Sequence, residues 1–296
     1  MPLDISLLKP AVLKTLVYSD IFDYPLRLDE LHRYLTISAS VEELTEYLDR
    51  ADCVESRDGY YFLAGRSELV DIRKQRETVS RKAFIRAMFY GRILGSLPFV
   101  RMVALTGSLA MLNLSKNPDM DFMLVTAHGH VWTARAFAIL FGKITHLFGD
   151  TICPNLIISE RALEWPLHDL YSARELCQMI PVTGHDLYLH LFAANTWTKS
   201  LLPNANPKTC QGHKTLNRGE FILRGTLGRE FETWEMTRKI ARFSKQAGFG
   251  AETIFTADVC QGNFHHHRKW TDEIYQERLF ALGFPLPLGE GRVREK

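Results

Sequence analysis

The apolar positions of the first seventy residues predict three short helices followed by a β-hairpin. Leu28, Leu31 and Leu35 recur at the spacing of one helix face, and Ser40 with Glu43 forms a capping box for the next helix. An Asp-Gly pair then marks a hairpin turn. Three helices followed by a hairpin are the outline of a winged helix. The predicted elements are helices Ala11–Ser19, Leu28–Leu35 and one beginning at Ser40, and strands Cys53–Glu55 and Tyr60–Leu63.

After residue 99 the pattern changes to β-rich runs that alternate with helices. The first run ends in Thr106-Gly107-Ser108, and Asp119-Met120-Asp121 opens the second. In chain order the elements are strand Phe99–Leu105, helix Leu109–Leu114, strand Phe122–Val125, helix Trp132–Phe148, strand Thr151–Ser159, and helices Tyr171–Ile180, His185–Thr198 and Glu220–Ala247. The mixture predicts the α+β fold class.

These patterns divide the chain into four regions. We expect a winged-helix-like module over residues 1–70 and an αβ core with a small mixed sheet, led by a basic helix, over 71–165. A C-terminal helical lobe is expected over 166–284, and a flexible tail over 285–296.

Composition narrows the class of protein. The 296 residues are 46% hydrophobic and 24% charged, which excludes a mostly disordered chain. Five cysteines without a CxxC pair imply neither a disulfide framework nor a zinc ribbon, so we expect a reducing, cytoplasmic location. The most apolar stretch, Val131–Phe148, contains Arg135, Lys143 and His146 and predicts a buried helix. We therefore expect no membrane partner.

Charge is distributed unevenly although the net formal charge is only +2. Residues 1–70 carry seven Lys or Arg and thirteen Asp or Glu, and the third helix is acidic. Because phosphate contacts dominate DNA affinity, a protein partner is favoured over DNA for this module. Residues 71–101 carry eight basic and two acidic side chains. This segment is either a solvated helix face or an aid to phosphate binding.

The candidate chemistry lies between residues 106 and 121. Alternation along a strand places Asp119 and Asp121 on one face, where hard oxygen ligands suit Mg²⁺ or Mn²⁺. Gly107 allows a ligand to approach the backbone closely, and Ser108 begins a helix whose free N–H groups favour phosphate. A metal site beside a phosphate cradle is the apparatus of nucleotidyl transfer.

The run from Ala104 to Ala110, with ten residues (109–118) between Ser108 and the Asp119-Met120-Asp121-Phe122 segment, resembles the signature of the polymerase-β-type nucleotidyltransferase superfamily. The resemblance implies that Thr106, Gly107 and Ser108 form the phosphate-binding turn and that Asp119 and Asp121 bind metal. Active members generally add a third carboxylate on a later strand. Asn155 stands at the apparent matching position, and Asp150 and Glu160 bracket that strand as alternatives.

Two functions stay open from the sequence. The first is an enzyme that moves a nucleoside monophosphate from a nucleoside triphosphate, ATP being the expected donor, to a hydroxyl acceptor with Mg²⁺. The second is a catalytically reduced regulator or scaffold that binds nucleotide, protein or DNA, which the amide of Asn155 favours. Asn195 is a further candidate for the pocket, and His265–His267 are expected at the surface.

Overall fold

The computed structural model describes residues 5–115, 119–209, 220, 225–250 and 252–285, and its α+β class confirms the expectation. The helices are α1 Ile5–Asp20, α2 Leu28–Arg33, α3 Val41–Leu48, α4 Leu69–Gly95, α5 Gly107–Ala110, α6 Val131–His146, α7 Leu170–Gln178, α8 His185–Ala194, α9 Thr198–Leu201, α10 Thr226–Phe243 and α11 His267–Ala281. The strands are β1 Leu26–Arg27, β2 Val54–Arg57, β3 Tyr60–Leu63, β4 Val100–Leu105, β5 Asp119–Thr126, β6 Thr151–Ser159, β7 Ile180–Thr183, β8 Thr253–Phe255 and β9 Val259–Gly262.

The chain divides into two compact units. The first takes the described parts of Met1–Ile72, Leu202–Asn204 and His267–Lys296, and the second takes those of Arg73–Leu201 and Ala205–His266. In the ranges that the structure describes, no helix is both long and apolar enough to cross a bilayer.

The first unit contains three N-terminal helices and an antiparallel sheet of order β1-β3-β2. Ser40 Oγ accepts the Glu43 backbone N–H at 3.1 Å, and the Glu43 carboxylate accepts the Ser40 N–H at 2.8 Å, so the predicted capping box forms. Asp58 and Gly59 both have positive φ, as the predicted tight hairpin requires. Helix α11 joins this unit through an edge-to-face contact between Tyr275 and Tyr18.

The second unit is built on a six-stranded mixed sheet of order β7-β4-β5-β6-β9-β8. Strands β5 and β6 are parallel, and the other neighbouring pairs are antiparallel. Phe122 and Leu124 of β5 belong to one buried apolar cluster with Ala87 of α4 and Trp132 and Ala138 of α6. Helices α4 and α6 therefore cover the same face of the sheet.

Close backbone approach fixes α4 on that face. A Cβ added at Gly91 would lie 2.9 Å from Val182 and 3.1 Å from Phe122, and one added at Gly95 would lie 2.5 Å from Thr183. Two glycines four residues apart thus let the helix settle directly on β5 and β7.

The N-terminus of α6 is held by a buried carboxylate from α10. Glu232 accepts the backbone N–H of Trp132 at 2.9 Å, the N–H of Thr133 at 2.6 Å and the Thr133 hydroxyl at 2.6 Å. These bonds satisfy two of the donors that every helix start leaves open.

The predicted helical lobe requires correction. Residues 180–183 and 253–262 form strands that extend the core sheet, and α11 packs with the N-terminal helices. Ile180 is not the end of a helix, because α7 ends at Gln178 and the Ile-Pro-Val-Thr run pairs with β4. The predicted tail lies almost wholly outside the described residues.

Candidate functional site

The two aspartates of the motif stand at the start of β5. Asp119 and Asp121 alternate with Met120 and Phe122, which are buried in the cluster beneath α4 and α6. Both carboxylates therefore point to the opposite face of the sheet. Thr106, at the end of β4, donates its backbone N–H to the Asp121 carbonyl at 2.9 Å, and this bond joins the turn to the strand.

The glycine of the motif lies against the second aspartate. Gly107 has φ +63°, and a Cβ there would stand 2.5 Å from Asp121 Oδ2. The turn that the sequence assigns to phosphate therefore meets the carboxylate that it assigns to metal. Only glycine allows this contact, because its conformation is left-handed and its neighbour leaves no space.

The turn beyond Gly107 is shorter than expected. Leu109–Leu114 was predicted as a helix, but α5 is a single turn over Gly107–Ala110, and Leu112 has φ +53°. The Ser108 carbonyl accepts the N–H groups of Met111 and Asn113, which closes the turn, and Ser108 itself is exposed. One turn has little macrodipole, so phosphate binding here would depend on local backbone N–H groups.

A basic side chain from α4 reaches this turn. Arg76 Nη1 donates to the Asn113 side-chain oxygen at 3.2 Å. Other members of the basic segment have structural partners: Arg73 pairs with Glu77, and Arg86 with Asp150. Arg76 therefore contacts the chain five residues after Ser108, next to the candidate phosphate turn.

The electrostatics of the pair favour a cation. Burial raises the pKa of the Asp121 carboxyl to about 6, a hydrogen bond from Asn155 acts in the opposite direction, and the charge of Asp119 adds to the rise. Cys153, the register partner of Asp121, has its pKa raised to about 12, first by burial and then by the same two carboxylates. A bound cation would oppose both the burial penalty and the like-charge repulsion that raise these pKa values.

Asn155 donates a side-chain hydrogen bond to Asp121 from an irregular position on β6. Phe122 pairs with Pro154 and Met123 with Leu156, so Asn155 is the extra residue of a β-bulge. The structure thus brings the sequence-predicted third position beside the aspartates, as an amide donor.

The two alternative third carboxylates do not join the pair. Asp150 is buried and accepts from Arg86 at 2.9 Å and from Tyr90 at 2.8 Å, both on α4. Glu160 follows the far end of β6, and at about 3.3 Å per residue it lies roughly 23 Å along the strand from the register position of Asp121. The sequence does not show this separation, because it depends on the register in which β5 and β6 pair.

A carboxylate that the sequence did not single out lies near the site. Glu175 of α7 has its pKa raised to about 7, mainly by burial and then by the negative charge of Asp121. Its carboxylate accepts from the Gln178 amide at 2.5 Å, and the charge of Arg174 opposes the rise. The available signal for Glu175 was a charged residue among positions of α7 that the fold buries, namely Ala173, Leu176 and Cys177.

The donor set can accommodate a magnesium ion only with help from a ligand. Across the parts of the chain that the structure describes, no three or more His, Cys, Asp or Glu side chains are grouped to hold a metal. Mg²⁺ is commonly bound by one or two carboxylates together with substrate phosphates and water. Asp119 and Asp121 fit that second arrangement.

Two other candidates from the sequence, Asn195 and the His265–His267 run, do not form a ligand site. Asn195 is fully buried; its amide donates to the carbonyls of Leu163 and Leu191, and its oxygen accepts from Trp165 and Trp197. It therefore packs the interior, which corrects the expectation that it faces a pocket. His265 and His267 are exposed as expected, and His266 is partly buried.

Comparisons with protein-family models, with the curated proteins and with the solved structures gave no match to this chain.

Proposed function

We propose that the second unit transfers a nucleoside monophosphate from a nucleoside triphosphate, ATP being the expected donor, to a hydroxyl acceptor. The observation that carries the proposal is the contact of the Gly107 turn with Asp121, next to Asp119 on the same strand face. One short strand–turn–strand unit thereby brings a backbone cradle and two carboxylates to one point. These are the two features that a metal–triphosphate complex needs.

The roles of the residues follow from their positions. Thr106, Gly107 and Ser108 would bind the β- and γ-phosphates through backbone N–H groups and the exposed Ser108 hydroxyl. Asp119 and Asp121 would hold Mg²⁺ or Mn²⁺, which neutralises charge on the phosphates when bound. Asn155, which donates to Asp121, would keep that carboxylate oriented. Arg76 would add positive charge behind the turn.

The proposed reaction needs a proton acceptor. The acceptor hydroxyl oxygen forms a bond to the α-phosphorus, the bond from that phosphorus to the bridging oxygen breaks, and pyrophosphate leaves with the electron pair. The hydroxyl proton goes to the Glu175 carboxylate. A carboxyl with a pKa of about 7 suits a general base near neutral pH.

A regulator without catalysis is the second candidate, and Asn155 favours it. An amide stands where the superfamily resemblance implies a carboxylate, and an amide does not accept a proton as a carboxylate does. In this reading the second unit senses nucleotide, and the winged-helix-like first unit contacts a protein, with DNA the less favoured partner. The acidic first turn of α3, with Glu42 and Glu43, supports a protein contact.

Calorimetric titration tests the proposal. We expect ATP, GTP, CTP or UTP to bind the full chain in the presence of Mg²⁺, and the combined substitution Asp119→Ala and Asp121→Ala to abolish that binding. Pyrophosphate release with an added hydroxyl acceptor separates the enzyme from the regulator, which would bind nucleotide without turnover. Binding that is unchanged in the double variant would exclude both readings of the site.

A pair of glycine substitutions isolates the carrying observation. Gly107→Ala places a methyl group against Asp121, whereas Gly129→Ala meets a similar positive φ (+74°) with open space around it. Both lose stability from the left-handed conformation, by about 1 kcal/mol. We expect only Gly107→Ala to lose magnesium-dependent nucleotide binding. Equal binding by the two variants would contradict the assignment of the turn.

A further inference from the structure

The outer surface of α4 and α6 carries an unusual set of exposed apolar side chains. Six large hydrophobic residues there are between 48% and 82% exposed. We call them the α4–α6 surface: Ile85, Phe89, Leu140, Ile144, Leu147 and Phe148. A single exposed apolar residue is ordinary, but a group of this kind on adjacent elements marks a binding surface.

The two helices form one continuous face. The rings of Tyr90 on α4 and Phe141 on α6 are in edge contact at 5.9 Å, and Phe89 contacts Tyr90 at 5.8 Å. Arg86 and Tyr90 also bond to Asp150, which follows the end of α6 by a few residues. These bonds keep the apolar groups of the two helices side by side.

The two segments that form this surface carry formal charge of one sign. Residues 78–95 and 131–149 contain no Asp or Glu, although the whole chain has 34. The adjoining Asp150 is buried and paired with Arg86. The exposed Lys and Arg side chains within these two ranges are Arg81, Lys82, Arg86, Arg92 and Lys143. A surface of this composition is complementary to an anionic partner with an apolar interior.

We propose that the α4–α6 surface adsorbs to anionic lipid bilayers, with its apolar side chains in the headgroup boundary and its basic side chains on lipid phosphates. Phe, Leu and Ile next to Lys and Arg are the composition of interfacial membrane helices. Protein hot spots instead favour Trp and Tyr and disfavour Leu. A second copy of this surface would bring like charges together at the rim. The expectation of no membrane partner rests on the lack of a membrane-spanning segment in the sequence. Adsorption at the bilayer surface requires no such segment.

The α4–α6 surface lies on the side of the sheet away from the candidate site, so a bound partner would leave that site accessible. Phe122 points towards α4, whereas Asp121 points to the other face of the sheet. A bilayer bound to the outer side of α4 and α6 would therefore lie behind the sheet, away from the two aspartates. The inference is independent of the proposed function.

Vesicle sedimentation of the full chain tests the inference. We expect the protein to sediment with vesicles of phosphatidylcholine and phosphatidylglycerol but not with phosphatidylcholine alone, and to dissociate near 1 M salt, where the Debye length is roughly 3 Å. Leu147→Ser and Phe148→Ser should each weaken binding by about tenfold or more, because each removes one exposed apolar side chain that the bilayer would bury. Leu227→Ser is the matched control, since Leu227 is 80% exposed and Leu147 82%.

Each remaining outcome overturns the inference. Equal losses from Leu147→Ser and Leu227→Ser would show that binding is not specific to this surface. Absence of sedimentation, together with self-association that Phe148→Ser abolishes, would assign the surface to a second copy of the chain. A monomeric protein that sediments with neither kind of vesicle would exclude the bilayer as the partner of this surface. Asp119→Ala with Asp121→Ala should leave sedimentation unchanged, so failure here is distinguishable from failure of the proposed site.

Discussion

Two carboxylates of the second unit have pKa values raised by burial but differ in their hydrogen-bond donors. Burial raises the pKa of Glu232 of α10, and the charge of Glu235 adds a smaller rise. Three hydrogen bonds oppose it, from the backbone of Trp132 and Thr133 and from the Thr133 hydroxyl. Burial also raises the pKa of Asp121 of β5. The hydrogen bond from Asn155 lowers this pKa, and the like charge of Asp119 raises it further.

The difference separates a structural carboxylate from a candidate ligand. At Glu232 the protein supplies the donors, so the charge is satisfied within the fold and joins α10 to α6. At Asp121 the fold supplies the Asn155 amide as donor, and the pKa stays raised at about 6, a rise that a bound cation would oppose. Three substitutions test this contrast.

The largest effect is expected at Glu175, which belongs to the region of Asp121. Glu175→Gln should lower the rate of nucleotidyl transfer by about 10²–10⁴, because the variant has no proton acceptor, while nucleotide still binds. The wild-type rate should rise with pH around the pKa of about 7, and the variant should lose that step. Glu164→Gln, at an exposed position, serves as the control. A variant that keeps the wild-type pH profile would exclude Glu175 as the base.

The next effect concerns the structural carboxylate. Glu232→Ala removes three hydrogen bonds and leaves two backbone N–H groups of α6 unpaired, so we expect the free energy of unfolding to fall by about 3 kcal/mol. Urea denaturation measures the change. Glu230→Ala, exposed on the same helix, should stay within about 0.5 kcal/mol of the wild type. Comparable stability of the two variants would refute the capping role.

The smallest effect has the opposite sign. The folded-state pKa of Asp121, about 6, lies above its ordinary value of 3.8, so the folded protein binds this proton more tightly than the unfolded chain. The contribution of Asp121 to stability is therefore favourable at low pH and is lost between about pH 4 and 6. Asp121→Asn should raise the free energy of unfolding at pH 7 by about 2 kcal/mol, and the gain should vanish below pH 4.

Added Mg²⁺ sharpens that comparison. It should stabilise the wild type at pH 7 and have little effect on Asp121→Asn, since only the wild type has the complete carboxylate pair. Thermal denaturation with and without the ion measures both. A variant that is less stable than the wild type at pH 7 would show that Asp121 is structural, like Glu232.

Local patterns predicted much of the chain correctly. The capping box at Ser40, the hairpin turn at Asp58-Gly59 and the central strands near 100–105 and 151–159 all follow from spacing within a few residues. The same alternation placed Asp119 and Asp121 on one face. Such features depend on neighbours in sequence, which is why they are readable there.

Pairing between distant segments could not be read in that way. Strands β7, β8 and β9 join the sheet, α11 packs with α1, and Glu175 lies near Asp121, because segments far apart in sequence meet in the fold. Nor does the sequence show the β-bulge at Asn155 or the ion pair that holds Asp150 away from the site.

The sequence by itself determined the strand–turn–strand unit and the two carboxylates on its face, because a pleated strand alternates its side chains whatever surrounds it. Only the tertiary structure decided which carboxylates receive several donors and which receive few, since burial, donors and neighbouring charges are supplied by packing. The sequence alone therefore named Asp119 and Asp121, and the fold added Glu175 and distinguished them from Glu232 and Asp150.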